Sequence, residues 1–266
     1  MYKRQIENVV GTYSLPIGVA TNFLIDGKHY AIPFVVEEAS VVAAASNMAK
    51  RCLLNGGFKS DNDDPVMIGQ IQVVGLEDVE EAKKRVLSQK KSIIQMCNDV
   101  DPILVKFGGG CKDIEARPIK TESGDMLIVH LLVDCRDAMG AKAVNTMAET
   151  VAPKIEELTA GTVILRIISN LAVHRIARVS ATFTPEEMSN TGKDRIQGSE
   201  VINGVIQAYH FAAADPYRAT THNKGIMNAI SSVAIACGQD WRAIESGAHA
   251  YAAHGNENLR YGSMTE

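Results

Sequence analysis

What this 266-residue sequence lacks narrows the field first. It has no large block of one charge sign: 27 Lys and Arg stand against 31 Asp and Glu, for a formal net charge of −4. A polyanion-binding surface is not indicated, and nucleic acid drops out of the expected partners. Five cysteines (Cys52, Cys97, Cys111, Cys135, Cys237) are odd in number, scattered and without a CxxC pair. That argues against both a disulfide framework and a zinc knuckle, and for a reducing cytoplasm. No apolar run approaches the ~20 residues that span a bilayer, and the opening MYKRQIENVV has no signal-like apolar stretch. A soluble, cytoplasmic protein with no membrane partner is expected. Internal repeats and low-complexity linkers are missing as well. Both ends read as abrupt, entering IENVVGTYSLPIG almost at once and stopping at YGSMTE, so a piece of a longer protein is expected.

The length allows one large core or two modest ones. Between 66 and 169 the pattern resolves into six elements. MIGQIQVVG (67–75) alternates apolar and β-branched residues before a glycine and reads as a strand. The stretch 76–98 reads as a helix, with Asp78 near its start and lysines and glutamates on one face. After a glycine loop, 113–119 and 126–134 read as strands around the turn material TESGD. A helix over 138–158 and a strand over 162–169 follow. Strand, helix, strand, strand, helix, strand is the split βαβ order of ferredoxin-like domains. The flanks read differently: 37–55, 198–214, 231–236 and 240–253 all favour helix. The predicted architecture is α+β, a helical large domain (1–65 and 172–266) interrupted by a small split βαβ domain (66–171).

Chemistry concentrates in DPYRATTHNKGIMN (215–228) and GQDW (238–241). An arginine, a lysine, amides and a carboxylate among turn residues are poor core material and good material for gripping an anionic oxygenated substrate. Arg218 suits a bidentate carboxylate clamp, Lys224 a developing oxyanion, and Asp240 the tuning of Lys224. A surface ion-pair cluster is the plainer reading, but Tyr217, Ile226 and Met227 make the segment too apolar for an idle loop. His222 has no second His or Cys at ligand spacing, so no metal is expected.

Three other stretches keep two readings each. In VVEEASVVAAAS (35–46), Glu37 and Glu38 are either a solvated helix start or a desolvated proton donor. FGGGCKD (107–113) is a turn or a ligand-facing loop, and it matches neither G-x-G-x-x-G nor a P-loop. In DCRDAMGAKAVN (134–145), Asp137 caps a helix, and the helix start also suits a phosphate.

Seven segments in order, IENVVGTYSLPIGVATNF, VVEEASVVAAAS, GGGCKD, DAMGA, VNTMAE, DPYRATTHNKGIMN and GQDWRAIESGAHAYA, resemble the class II, soluble bacterial and archaeal form of the 3-hydroxy-3-methylglutaryl-CoA (HMG-CoA) reductase family. The resemblance covers nearly the whole chain. It implies interconversion of HMG-CoA with mevalonate and CoA by two hydride transfers from NADH or NADPH, through a mevaldyl-CoA hemithioacetal. It places the catalytic roles on Glu38, Lys224 and Asp240: Lys224 polarises the thioester carbonyl, Glu38 supplies a proton at the aldehyde stage, and Asp240 holds the charge network. It assigns HMG binding to Ser40, Asn170, Arg218 and Asn228. Cofactor contacts fall on Asp101, Asp137, Met139 and Gly140, and a homodimer with the active site at its interface is implied.

The chain departs from the family twice. Lys142 replaces the asparagine of DAMGAN, adding a cation beside a cofactor contact. Asp101 argues for NAD by repelling a 2′-phosphate, and NAD is favoured over NADP. The family also continues past YGSMTE into a segment bearing a catalytic histidine, which His249 and His254 do not match; impaired turnover is the corresponding expectation. A noncatalytic acyl-CoA or nucleotide-binding protein is the competing reading, and a plain interaction surface ranks last.

Overall fold

The computed structural model describes residues 6–189 and 196–254. Two compact units partition the chain: Met1–Lys59 with Ser180–Trp241, here unit 1, and Ser60–Val179 with Arg242–Glu266, here unit 2.

Unit 1 begins with a hairpin, β1 (Ile17–Ile25) antiparallel to β2 (Lys28–Val35), with Ile25 opposite Lys28. The two-residue turn is Asp26–Gly27, both at positive φ (48° and 78°). That conformation matches the right-handed twist of paired strands and is open to Asp-Gly at little steric cost. Helix α1 (Ala39–Cys52) packs on β1, buries Ala49 and Cys52, and carries Lys50 and Arg51 in its last turn, where they suit the negative end of the helix dipole.

In the crossover between units, β3 (Lys59–Asn62) leads into the four-stranded antiparallel sheet of unit 2. That sheet is built from β4 (Val66–Val74), β5 (Gly110–Thr121), β6 (Gly124–Asp134) and β7 (Thr162–Ser169), in the spatial order β5-β6-β4-β7. Helices α2 (Val79–Ser88), α3 (Lys90–Val100) and the short α4 (Pro102–Lys106) precede β5, and α5 (Ala141–Thr159) precedes β7. This is the expected split βαβ order. The core lies between one sheet face and the helices: Ile71 and Val73 of β4, Leu127, Val129, Leu131 and Val133 of β6, and Val144, Met147, Val151 and Ile155 of α5. Gly69 lets α5 approach β4, since a Cβ there would lie 2.7 Å from Val144 Cγ1.

The helix expected over 76–98 is two helices, broken at Gln89 (φ −102°, ψ 13°). Asp78 caps α2, accepting from the Glu80 and Glu81 N–H groups at 2.9 Å each.

The opposite sheet face carries a polar cluster. His130 is buried there, with Nε2 3.0 Å from Gln70 Nε2 and 3.4 Å from Arg117 NH1. Because the guanidinium only donates, His130 Nε2 is the acceptor and the ring is the neutral Nδ1–H tautomer. Beyond β7, β8 (Ala177–Ser180) pairs with β3.

Unit 1 resumes with α6 (Pro185–Met188), α7 (Gly198–Ala214) and α8 (Pro216–Ala236), which packs on β2. Helix α9 (Trp241–Ala253) follows and, from Arg242 on, belongs to unit 2. Among the described residues no helix is long and apolar enough to cross a membrane.

Candidate active site

The segment 215–228, expected among turn residues, is the first two-thirds of the continuous helix α8. Asp215 is its N-cap and accepts from the Arg218 N–H at 2.9 Å, while Pro216 takes the first helical position. An aspartate followed by proline is a helix start as well as a turn signal, because proline lacks only an N–H that the first turn leaves unused. Thr220 Oγ1 donates to Pro216 O at 2.9 Å, so a hydroxyl that reads as turn chemistry is absorbed by the helix itself.

The helix sorts its side chains by face. Ala219, Asn223 and Met227 are buried. Lys224 is exposed, and Asn228 lies one turn further along the same stripe. Arg218 is half-buried in the first turn.

At its C-terminus α8 closes with the Gly238 N–H donating to Ile235 O (3.0 Å) and the Gln239 N–H to Ala234 O (2.8 Å), Gly238 standing at φ 67°. This is the Schellman arrangement, which needs a left-handed residue after the helix. It delivers Asp240, half-buried, directly before α9. Lys224 and Asp240 are therefore not brought together within one chain. Lys224 lies about 18 Å along the helix axis from Ala236, at ~1.5 Å per residue, and Asp240 comes after that end.

Glu38 is the N-cap residue of α1, exposed, with Oε1 accepting from Ser40 Oγ at 2.5 Å. Two expected site residues thus meet directly. The approach to them is strained: Val36 sits at φ 71°, a region β-branched residues avoid.

In unit 2 the sheet register gathers the other candidates. Asp134, the last residue of β6, pairs with both Val66 and Gly110, and Ser169 pairs with Ile68. The glycine loop before β5, the 135–140 turn after β6 and Asn170 after β7 therefore share one end of the sheet. Asp101 is half-buried and caps α4, accepting from the Leu104 N–H at 2.9 Å. A Cβ on Gly109 would lie 2.6 Å from Leu104 Cδ1 and 2.7 Å from Asp134 O. Asp101, the glycine loop and the turn are thus joined through close contacts. Asn170 is exposed, and its carbonyl lies against Gly247 of α9.

Helix α5 begins at Ala141, later than expected, and Asp137 does not cap it. The N-cap is Gly140 at φ 102°, with no side-chain cap. A side chain at 140 would place its Cβ 2.6 Å from Cys135 Sγ, in a backbone conformation that L-residues rarely adopt. Asp137 is exposed on the turn, Met139 is half-buried, and Lys142 is exposed in the first turn of α5. Asp134 is buried and paired with Arg136, whose guanidinium holds the carboxyl below the usual range. Burial pushes the Cys135 thiol up to about 11, so it packs as a neutral group.

Residues passed over in the sequence brace this end. Lys112 Nζ donates to Gly108 O (2.7 Å) and Gly109 O (2.9 Å), and the Asn98 side chain bonds both the N–H (2.7 Å) and the carbonyl (3.2 Å) of Cys111. A lysine two residues past three glycines was the available signal for the first. Nothing local marks Asn98. No cluster of three or more His, Cys, Asp or Glu suited to a metal occurs among the described residues.

A glycine loop, a helix N-terminus with no side-chain cap and a nearby carboxylate are features that suit the phosphate and ribose of a dinucleotide. Comparisons with known proteins bear on this geometry. The family model for hydroxymethylglutaryl-coenzyme A reductase matches residues 1–265. The chain is 60% identical over 252 residues to the 3-hydroxy-3-methylglutaryl-coenzyme A reductase of Archaeoglobus fulgidus, covering 95% of this chain and 56% of that protein. It is 32% identical over 251 residues to a probable reductase of the same name from Borreliella burgdorferi, covering 93% and 56%. The chain thus spans a little over half the length of these curated relatives. Among solved structures it is similar to the class II Streptococcus pneumoniae reductase bound to NADPH in open conformations, with a TM-score of 0.92 and 41% identity over 98% of this chain and 69% of that one.

Proposed function

This chain belongs to the hydroxymethylglutaryl-coenzyme A reductase family, and from that premise we propose that it serves the family's reductive chemistry. HMG-CoA, two NAD(P)H and two protons give mevalonate, CoA and two NAD(P)⁺, or the reverse. The observation that carries the reading is the sheet end of unit 2, where Asp101, the glycine loop, the α5 N-terminus and Asn170 collect. When bound, the reduced nicotinamide supplies the hydrides.

Each residue of the chain then has a distinct task. The exposed Lys224 ammonium stabilises the negative charge developing on the thioester oxygen. Glu38, its carboxylate oriented by Ser40, delivers a proton at the aldehyde stage. Arg218 grips the substrate carboxylate in a bidentate fork, and Asn228 stands beside Lys224 on α8. Asn170 contacts the HMG portion. Asp137, Met139 and Gly140 form the turn that presents the α5 N-terminus to the pyrophosphate, and Asp101 takes the adenosine ribose.

Two features support a homodimer with the site at its interface. The ~18 Å of helix beyond Lys224 keeps that lysine from its own Asp240, so the Asp240 that serves Lys224 belongs to a second copy. Helix α7 is apolar yet buries only Gly198 and Ala212, leaving Val205, Ile206 and Phe211 exposed, which asks for a cover. NADH is the favoured cofactor because the Asp101 carboxylate repels a 2′-phosphate, and Lys142 pulls the other way from the first turn of α5. The setting is cytoplasmic.

The test is to mix the purified chain with HMG-CoA and NADH, and separately with NADPH, and follow the nicotinamide absorbance. Oxidation that falls at least ~10²-fold in Lys224→Ala supports the reading. Saturable binding of neither dinucleotide nor HMG-CoA contradicts it.

A further inference from the structure

The 135–140 turn is held from outside by a residue with no role so far. Arg175 lies in the segment that follows β7, five positions after Asn170. Its NH1 donates to Ala138 O at 2.9 Å and its NH2 to Arg136 O at 3.3 Å. One planar fork therefore grips two carbonyls of the turn, a geometry a point-charge ammonium cannot copy.

The turn is otherwise tied mainly to itself and to its neighbouring strand. Arg136 sits at φ 50° with Nε bonded to Asp134 Oδ1 at 2.7 Å, and the Ala138 N–H donates to Cys135 O at 3.1 Å. The Arg175 segment is anchored independently. Its Ala172 N–H donates to Asn170 O (3.0 Å), its Arg175 N–H to Ala172 O (3.0 Å), and its Ile176 N–H to Asp63 Oδ2 (3.3 Å). Arg175 thus ties the segment that bears Asn170 directly to the turn.

We propose that Arg175 is a positioning residue for the dinucleotide. It sets the 135–140 turn, and with it the open N-terminus of α5, in a fixed relation to the segment that bears Asn170. The inference rests on the dinucleotide reading above.

The experiment titrates NADH and NADPH into the 266-residue chain by nicotinamide fluorescence, for the parent, Arg175→Ala, Arg175→Lys and Arg85→Gln. The last removes a guanidinium bonded to Glu81 on α2 at 3.3 Å, outside both the turn and the segment that holds it. Arg175→Ala is expected to weaken binding about tenfold, the equivalent of one charge-assisted hydrogen bond, with Arg175→Lys in between and Arg85→Gln at the parent value. Equal affinity in parent and Arg175→Ala, or an equal loss in Arg85→Gln, overturns the assignment. A parent that binds neither dinucleotide overturns instead the reading on which it stands.

Discussion

Burial holds the His130 imidazole below the usual histidine range. The Arg117 guanidinium and His174 add to that push, and Glu115 opposes it. An unfolded histidine titrates near 6.5, so between the folded value and about 6.5 the unfolded chain binds more protons than the folded one. The stability from a neutral His130 is therefore complete above about pH 6.5 and is lost as pH falls through the window below it. Thermal melts should show a midpoint that is level above neutrality and declines on acidification from about 6.5, and His130→Asn should flatten that limb. At Gly140 the argument is steric. Gly140→Ala forces a Cβ onto Cys135 Sγ at positive φ, and urea denaturation should report a loss of about 1–3 kcal/mol together with weaker dinucleotide binding. Asp137 was the legible cap candidate here, and Gly140 took the role because a left-handed φ followed by close packing on a thiol leaves room only for glycine. The sequence displays residue types; the contact that selects between them is tertiary.

Among the elements, α8 shows how one stretch supports two local readings. Asp-Pro, two threonines and two asparagines suit turns, yet the Asp215 cap and hydroxyls bonding back to the preceding turn make them compatible with 21 helical residues. Asp215→Ala should cost about 1 kcal/mol in chemical denaturation, the usual loss of a capping side chain. The β1–β2 hairpin was legible and was passed over. Asp26–Gly27 between FLI and KHYAI is a strong two-residue turn signal. The break between α2 and α3 was not legible, since neither Gly nor Pro stands at 88–90. The split βαβ order was legible because β4 alternates apolar residues before a glycine, the TESGD turn separates β5 from β6, and the intervening segments carry helical spacing. At this scale Lys142→Asn is expected to lower NADPH affinity more than NADH affinity, since it removes a cation from the first turn of α5 without altering the helix; parallel titrations measure it.

For the molecule as a whole, the candidate residues divide between the units: Glu38, Ser40, Arg218, Lys224, Asn228 and Asp240 in unit 1, and Asp101, Asp137, Met139, Gly140, Lys142 and Asn170 in unit 2. The family was legible from ordered motifs. The spatial relation of these residues was not, because it depends on a helix length: the ~18 Å beyond Lys224 separates it from Asp240 along the chain, which is the ground for proposing a site shared by two copies. The most direct measurement is subunit mixing. Lys224→Ala and Asp240→Asn proteins, each expected to be inactive alone, are unfolded together, refolded and assayed with HMG-CoA and NAD(P)H beside the parent. If the site is shared, half of randomly paired dimers are mixed and each has one of its two sites intact, so about a quarter of the parent turnover should return. A mixture as inert as either variant, beside a parent that turns over, would contradict a site in which Lys224 and Asp240 come from different chains.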